Sequence, residues 1–182
     1  MAQVVHRNWQ GGQFLAPAPV YLDSSVTVGW LTSGDRLHAR ATSFIGDHLA
    51  GQRELHVSML TLDETIFIML RGLVAQSRGV PVKSLNLGRE LKQNQQLLSA
   101  FVPNIRLAIG YVLGWATLVD GRSGTARDVL DSWLDRCADV GGLHDAWHLS
   151  LAQHSGSKSL VTGDFDFRAV KSLPMPLHVI TI

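Results

Sequence analysis

Short apolar runs that stop abruptly at acids or hydroxyls alternate along this chain with longer stretches of helical spacing. Val20–Leu22 is too short for a helix and ends at Asp23, so it reads as a buried strand. Arg53–Leu60 alternates, with Leu55, Val57 and Met59 on one side, and reads as a second strand. Ser159–Thr162 reads as a third, closed by Asp164 and Asp166, and Pro176–Ile182, rich in β-branched residues, as the last. Asp35–Leu49 places Leu37, Ala41, Phe44, Ile45 and Leu49 on one helical face, started by Ser33, Gly34 and Asp35, with His38 and His48 outside. From Thr61 through Val74 the chain is apolar nearly all round, which predicts a buried helix. Val82–Val102 predicts a helix whose polar face holds Arg89, Lys92, Gln93, Gln95 and Gln96, interrupted at Pro103. Ile105–Val119 is open between a buried helix and a helix leading into a strand near Ala116–Val119, and residues 120–124 make a turn. Ala126–Ala138 carries Val129, Leu130, Trp133, Leu134 and Cys137 at helical spacing. The stretch from Leu143 reads as a buried helix ending in a polar turn, with Leu149 and Ala152 at i+4 and i+7 from Asp145.

This order of elements predicts an α/β fold, a three-layer α/β/α sandwich with a mainly parallel central sheet. Residues 1–17 read as a polar, Gly-containing N-terminal extension closed by Pro17 and Pro19, and 18–182 as a single domain. At 182 residues and 46% hydrophobic, the chain has material for one real core and no second domain. The formal net charge of +1 excludes a globally basic nucleic-acid binder, so any grip on phosphate comes from a local patch or a bound ion. The lone cysteine, Cys137, allows no internal disulfide and reads as a small buried hydrophobe. The opening lacks the charged end and apolar run of a secretory signal. The longest apolar run, 107–119, is shorter than the roughly 17 to 25 residues a bilayer requires, so a cytoplasmic protein without a membrane span is expected.

The chemistry lies in the acids. Asp23 followed by Ser24 and Ser25 has a plain reading as a helix cap, and the T-x-x-E of Thr61 to Glu64 has one as a capping box. In a parallel sheet, however, the carboxyl ends of the strands share one edge. Asp23 and Asp164 fall there, Glu64 opens the helix after another strand, and Asp145 comes from a helix flanking the same edge. Two carboxylates roughly 4 Å apart repel by about 4 kcal/mol at an effective dielectric of about 20. Protonation or a divalent cation relieves that, and oxygen-only donors favour Mg²⁺ or Mn²⁺ over Zn²⁺.

The segments YLDSS (21–25), VSMLTLDE (57–64), LHDAWHLSLA (143–152) and LVTGDFDF (160–167), in this order, resemble the PIN domain, the metal-dependent nuclease fold of virulence-associated protein C type toxins and of RNA-processing nucleases. The resemblance implies an endoribonuclease in which Asp23, Glu64, Asp145 and Asp164 are catalytic metal ligands for Mg²⁺ or Mn²⁺. Asp166 is then a possible fifth acid, and Ser25 and Thr162 are hydroxyls supporting the ligands. It also implies an RNA substrate, an antitoxin protein as partner and a homodimer. Arg168, Lys158 and Lys171, near the acids in sequence, are candidates to steady the RNA backbone.

Two other readings stay open. His144-Asp145-Ala146-Trp147-His148 differs by one methylene from the H-E-x-x-H zinc-peptidase signature, with only His154 and His178 on offer as a third ligand. The other is a PIN-like module that binds RNA or protein without cutting. Retention of mutually repelling carboxylates argues against it.

Overall fold

The computed structural model describes residues 2–12, 14–120, 126–140 and 142–182. Its elements are β1 (Ala2–Gln3), β2 (Val5–Asn8), β3 (Val20–Leu22), α1 (Ser24–Leu31), α2 (His38–Ala50), β4 (Leu55–Ser58), α3 (Met59–Arg78), α4 (Leu87–Gln93) and α5 (Gln95–Leu113), followed by β5 (Thr117–Val119), α6 (Ala126–Val140), α7 (Leu143–His154), β6 (Ser159–Thr162), β7 (Ser172–Leu173) and β8 (His178–Thr181). The main sheet runs β2-β8-β6-β3-β4-β5 with every pairing parallel, so all its carboxyl ends share one edge. β1 and β7 form a separate antiparallel ribbon.

The central strands β3, β4 and β6 are buried along their whole length because helices cover both faces. The period of two divides their side chains. Val20, Leu22, Val57, Val161 and Ile180 pack with Phe44 and Ile45 of α2, Val26 of α1 and Val112 of α5. Tyr21, Leu160 and Val179 face the opposite way, against Ala146, Leu149 and Ala152 of α7 and Phe167. A satellite cluster of Leu70, Val74, Leu85, Leu87 and Ile105 holds α3, α4 and α5 together as an arm beside the sheet. The three layers expected from the sequence are therefore present.

Several local expectations are corrected. The first residues add β1 and β2, and β2 becomes the outer strand beside β8 while Trp9 is buried edge-on against Phe44. His48, expected on the outside of its helix, is fully buried, whereas Leu49 is exposed. Its Nδ1–H donates to the Phe44 carbonyl and its Nε2 accepts the Ala16 N–H at 2.7 Å, so the polar ring is satisfied inside. The second strand stops at Ser58, and Met59 begins α3 as an exposed residue. α3 is less buried than its apolar sequence predicts, since Phe67 and Ile68 are exposed.

The predicted helix at 82–102 divides into a 3₁₀ turn (Val82–Ser84), α4 and the start of α5. The break falls at Asn94, and Pro103 lies inside α5, which gives up one i→i−4 bond there. The choice at 105–119 resolves as a helix leading into a strand, β5. Beyond Asp120 the expected turn at 120–124 lies outside the described residues. Cys137 is half-buried and its thiol contacts the Trp133 carbonyl. The stretch after Asp166, expected as a plain connection, contains a 3₁₀ turn (Asp166–Ala169) and β7. Among the described residues, no helix is long and apolar enough to cross a membrane.

Candidate active site

At the carboxyl edge of the sheet lies a cleft of about 600 Å³ lined by Asp23, Glu64, Asp145 and Asp164, together with Ser24, Ser25, Asp63, His144 and His148. Its far wall is apolar, built from Ile66, Phe67, Ile68, Leu70, Leu87 and Leu91 of α3 and α4. Four acids from distant parts of the chain thus share one cavity. Asp166 lies on the exposed turn just beyond, its N–H donating to Asp164 Oδ1 at 3.1 Å.

Asp23 serves two purposes. It is the N-cap of α1, its Oδ1 accepting the N–H groups of Ser25 and Val26, so the cap reading is correct. Its carboxyl is also buried in the cleft. Ser25 Oγ donates to Asp23 Oδ1 and accepts the Gly163 N–H at 2.7 Å, which ties the end of β3 to the loop after β6. A side chain at Gly163 would place its Cβ 2.1 Å from Leu37 Cδ1, so this approach needs glycine or a displaced Leu37. Thr162 Oγ1 accepts the Asp164 N–H at 2.9 Å and also hydrogen-bonds Asp23.

Glu64 is not a capping residue. The capping box of α3 is formed by Ser58 and Thr61, one turn earlier, and this frees Glu64 to face the cleft. There His144 Nδ1 lies 2.7 Å from Oε1 and His148 Nε2 lies 2.8 Å from Oε2. These histidines sit at i and i+4 on α7 and so present to one carboxylate. Behind His148, Nδ1 is 2.9 Å from the Tyr21 hydroxyl, itself 2.6 Å from Ser58 Oγ. A chain of hydrogen bonds therefore runs from the base of α3 through Tyr21 and His148 to Glu64. Sequence reasoning weighed His144 and His148 only as zinc ligands and missed Tyr21; the i, i+4 spacing beside Asp145 was the available signal. His154 lines a separate cavity with Glu54 and His56, whose positions mark the amino ends of the strands, and His178 opens β8 at those same ends, so neither completes a zinc site.

The charges divide accordingly. Burial raises the Glu64 carboxyl, but hydrogen bonds from His148 and Ser24 and the charges of both histidines outweigh it and hold the group down at about 2. Asp145 is pushed up by burial and then by the negative charges of Asp164, Asp23 and Asp166, which outweigh His148. Asp23 is pushed up by burial despite His148 and its hydrogen bonds to Ser25 and Thr162. Crowded carboxylates with uncompensated charge are the donor set of a hard cation. Among the described residues no three His, Cys, Asp or Glu side chains form a ready cation cage, so the acids share a cleft without converging on one point.

The basic candidates are not brought together. Arg168 stands on the turn beside Asp166. Lys158 precedes β6, with its N–H on Pro19 O and its carbonyl accepting from His178, at the amino edge of the sheet. Lys171 adjoins the β1–β7 ribbon, its carbonyl bonded to the Val4 N–H. Strand polarity puts both at the end opposite the acids.

The sequence matches the family model described as PIN domain over residues 20–173. No curated protein matches it. Similar solved structures include the Mycobacterium tuberculosis toxin VapC20, described as cleaving the sarcin-ricin loop (16% identity, 84% of this chain and 99% of that chain covered, TM-score 0.49). Others are VapBC2 from Rickettsia felis bound to a DNA fragment from its promoter (16%, 88% and 97%, 0.46) and FitAcB from Neisseria gonorrhoeae (16%, 82% and 91%, 0.43).

Proposed function

This chain belongs to the PIN domain family, and from that premise we propose that it is a divalent-metal-dependent endoribonuclease. The observation that carries the reading is the shared cleft of Asp23, Glu64, Asp145 and Asp164, in which Asp145 feels the negative charges of Asp164 and Asp23. Asp23, Asp145 and Asp164, which share the cleft without meeting at one point, would turn toward the ion to hold it, with Asp166 in the same turn as Asp164 and Glu64 completing the acidic wall. When bound, Mg²⁺ or Mn²⁺ supplies positive charge to the phosphodiester and lowers the pKa of a coordinated water.

The chain's own residues do the rest. Ser25 and Thr162 fix the Asp23 and Asp164 loops relative to each other. His144 and His148 fix Glu64. Of the two acids suited to take a proton from the attacking water, Glu64 already has both oxygens engaged by His144 and His148, so Asp145 is the freer one. Arg168 remains as a cation for the RNA backbone; Lys158 and Lys171, at the opposite edge, are dropped from that role. The finer proposal is a toxin whose small antitoxin covers the apolar wall at Phe67 and Ile68, acting as a homodimer in the cytoplasm.

The test is cleavage of structured and unstructured RNA with Mn²⁺ or Mg²⁺, with EDTA and with the double variant Asp23→Asn, Asp145→Asn as controls. Cleavage by the wild type alone, abolished by EDTA, is expected. Equal cleavage by wild type and variant overturns the site.

A further inference from the structure

Phe165 lies between Asp164 and Asp166 and is 54% exposed. It is not bare on both faces. The Arg168 guanidinium sits 4.3 Å from its ring centroid, and the turn that places it there is closed by Arg168 N–H on the Phe165 carbonyl. Arg168 is in turn anchored, its Nη2 donating to Asn8 Oδ1 at 2.9 Å.

Asn8 gives the position of the pair. It ends β2 in register with Thr181 of β8, which is in register with Thr162 of β6. These three residues mark the carboxyl edge of neighbouring strands, so Asn8 stands two strand spacings, about 10 Å, from Thr162. The stacked pair therefore lies at the same edge as the acidic cleft, on the side of the N-terminal strand. Asn8 falls outside the span matched to the family, 20–173, so the anchor comes from a strand beyond that span.

We propose that Phe165 and Arg168 form a platform on which an unpaired nucleobase of the RNA stacks, with the guanidinium available to the adjoining phosphate. The proposal rests on the nuclease reading of the cleft and adds the place beside it where one base of the substrate docks. A guanidinium held against an aromatic ring offers a rigid, flat, cationic surface, and base–aromatic stacking tolerates any base because every base has a π-face. A duplex, with its bases stacked inside, cannot use such a surface.

The experiment measures binding apart from cleavage. A short single-stranded RNA carrying one 2-aminopurine is titrated with protein in Ca²⁺, and fluorescence quenching reports stacking. Cleavage of the same RNA in Mn²⁺ is followed in parallel. Wild type is expected to quench. Phe165→Ala loses the quenching and binds about five- to 150-fold more weakly, the range of one base–aromatic stack. Phe165→Trp restores both, and Phe165→Leu, apolar without a π-face, restores neither. Arg168→Gln weakens binding and flattens its salt dependence. The ring is exposed, so these variants keep the wild-type melting temperature. If Phe165→Ala or Phe165→Leu quenches and binds as wild type does while wild type cleaves, the platform is wrong and the nuclease reading survives. Quenching without cleavage by wild type keeps the platform and removes the nuclease. Neither signal from wild type ends both.

Discussion

Replacing Tyr21 by Phe removes one oxygen from the middle of the chain that aims Glu64. That hydroxyl is fully buried and stands 2.6 Å from Ser58 Oγ, 2.9 Å from His148 Nδ1 and 3.3 Å from Thr61 Oγ1. Ser58 and Thr61 keep each other at 3.2 Å, and Thr61 still donates to the Leu22 carbonyl at 3.0 Å, so neither is orphaned. His148 Nδ1 is. Nε2 keeps the ionised Glu64 as its partner at 2.8 Å, so the loss falls on Nδ1 and on the hold that Tyr21 has on the ring's orientation. A buried polar atom left unpaired costs about 1–3 kcal/mol. In a domain of this size each kcal/mol moves the melting temperature by about 2–4 °C.

Urea denaturation of wild type, Tyr21→Phe, His148→Gln and the double variant separates this cost from ordinary packing. Most of the Tyr21→Phe penalty should disappear in the His148→Gln background, a coupling of about 0.5–3 kcal/mol. Cleavage by Tyr21→Phe should fall by about 10–100-fold, as it does when a group supporting a metal-site carboxylate is lost. Additive penalties, or a single-variant cost under about 0.5 kcal/mol, would refute the relay.

Glu64, ordinarily near 4.5 and held at about 2 in the fold, stays ionised where the unfolded chain takes up a proton. Its stabilisation is complete above 4.5 and is lost as pH falls from 4.5 to about 2, worth about 3 kcal/mol at most, and Glu64→Gln should remove that part of the acid limb in a pH series of denaturation curves. Asp145 has the opposite sign: its raised carboxyl destabilises the fold above its folded pKa, so Asp145→Asn should melt higher than wild type at pH 7, with the advantage closing as pH approaches 3.8. Excess Mn²⁺ at about a hundred times its dissociation constant should stabilise wild type by about 2.7 kcal/mol and leave Asp145→Asn nearly unmoved. His48 is lowered by burial, so its contribution is complete above 6.5 and lost as pH falls through its folded value; His48→Gln, which keeps an acceptor for Ala16 N–H, should flatten that slope in hydrogen exchange at residues 14–16.

Asp23 and Asp164 were legible because each follows an apolar run that stops abruptly, and a parallel sheet sends such stops to one edge; Glu64 and Asp145 could be placed only as helix residues beside that edge. Their supports were not. Ser58 and Thr61 both look like caps for α3, and only the exact end of β4 decides which is used. β2 is written VHRN and exposed throughout, so an outer strand left no alternation to find. His48 looked solvent-facing because a polar ring is ordinarily outside, and its partners Ala16 and Phe44 are a main-chain N–H and carbonyl that no side-chain pattern records. Lys158 and Lys171 are near Asp164 in sequence, yet a strand separates one from it and a turn running back down the sheet separates the other.

The four carboxylates, alike in sequence, are made unequal by what surrounds them. Glu64 receives two imidazoles, one per oxygen. Asp145, by contrast, has three acids acting against one histidine, and burial adds to the imbalance. The fold has therefore satisfied one side of the cleft with hydrogen bonds from its own side chains and left the other side in deficit. An incoming cation gains most where the deficit is, so Asp145, with Asp164 and Asp23, should control affinity for the ion. Glu64 should govern the position of what binds there. Asp145→Asn would then lower Mn²⁺ affinity far more than Glu64→Gln in a calorimetric titration. The reverse ranking would mean that the histidine pair leaves Glu64 free to act as the principal ligand.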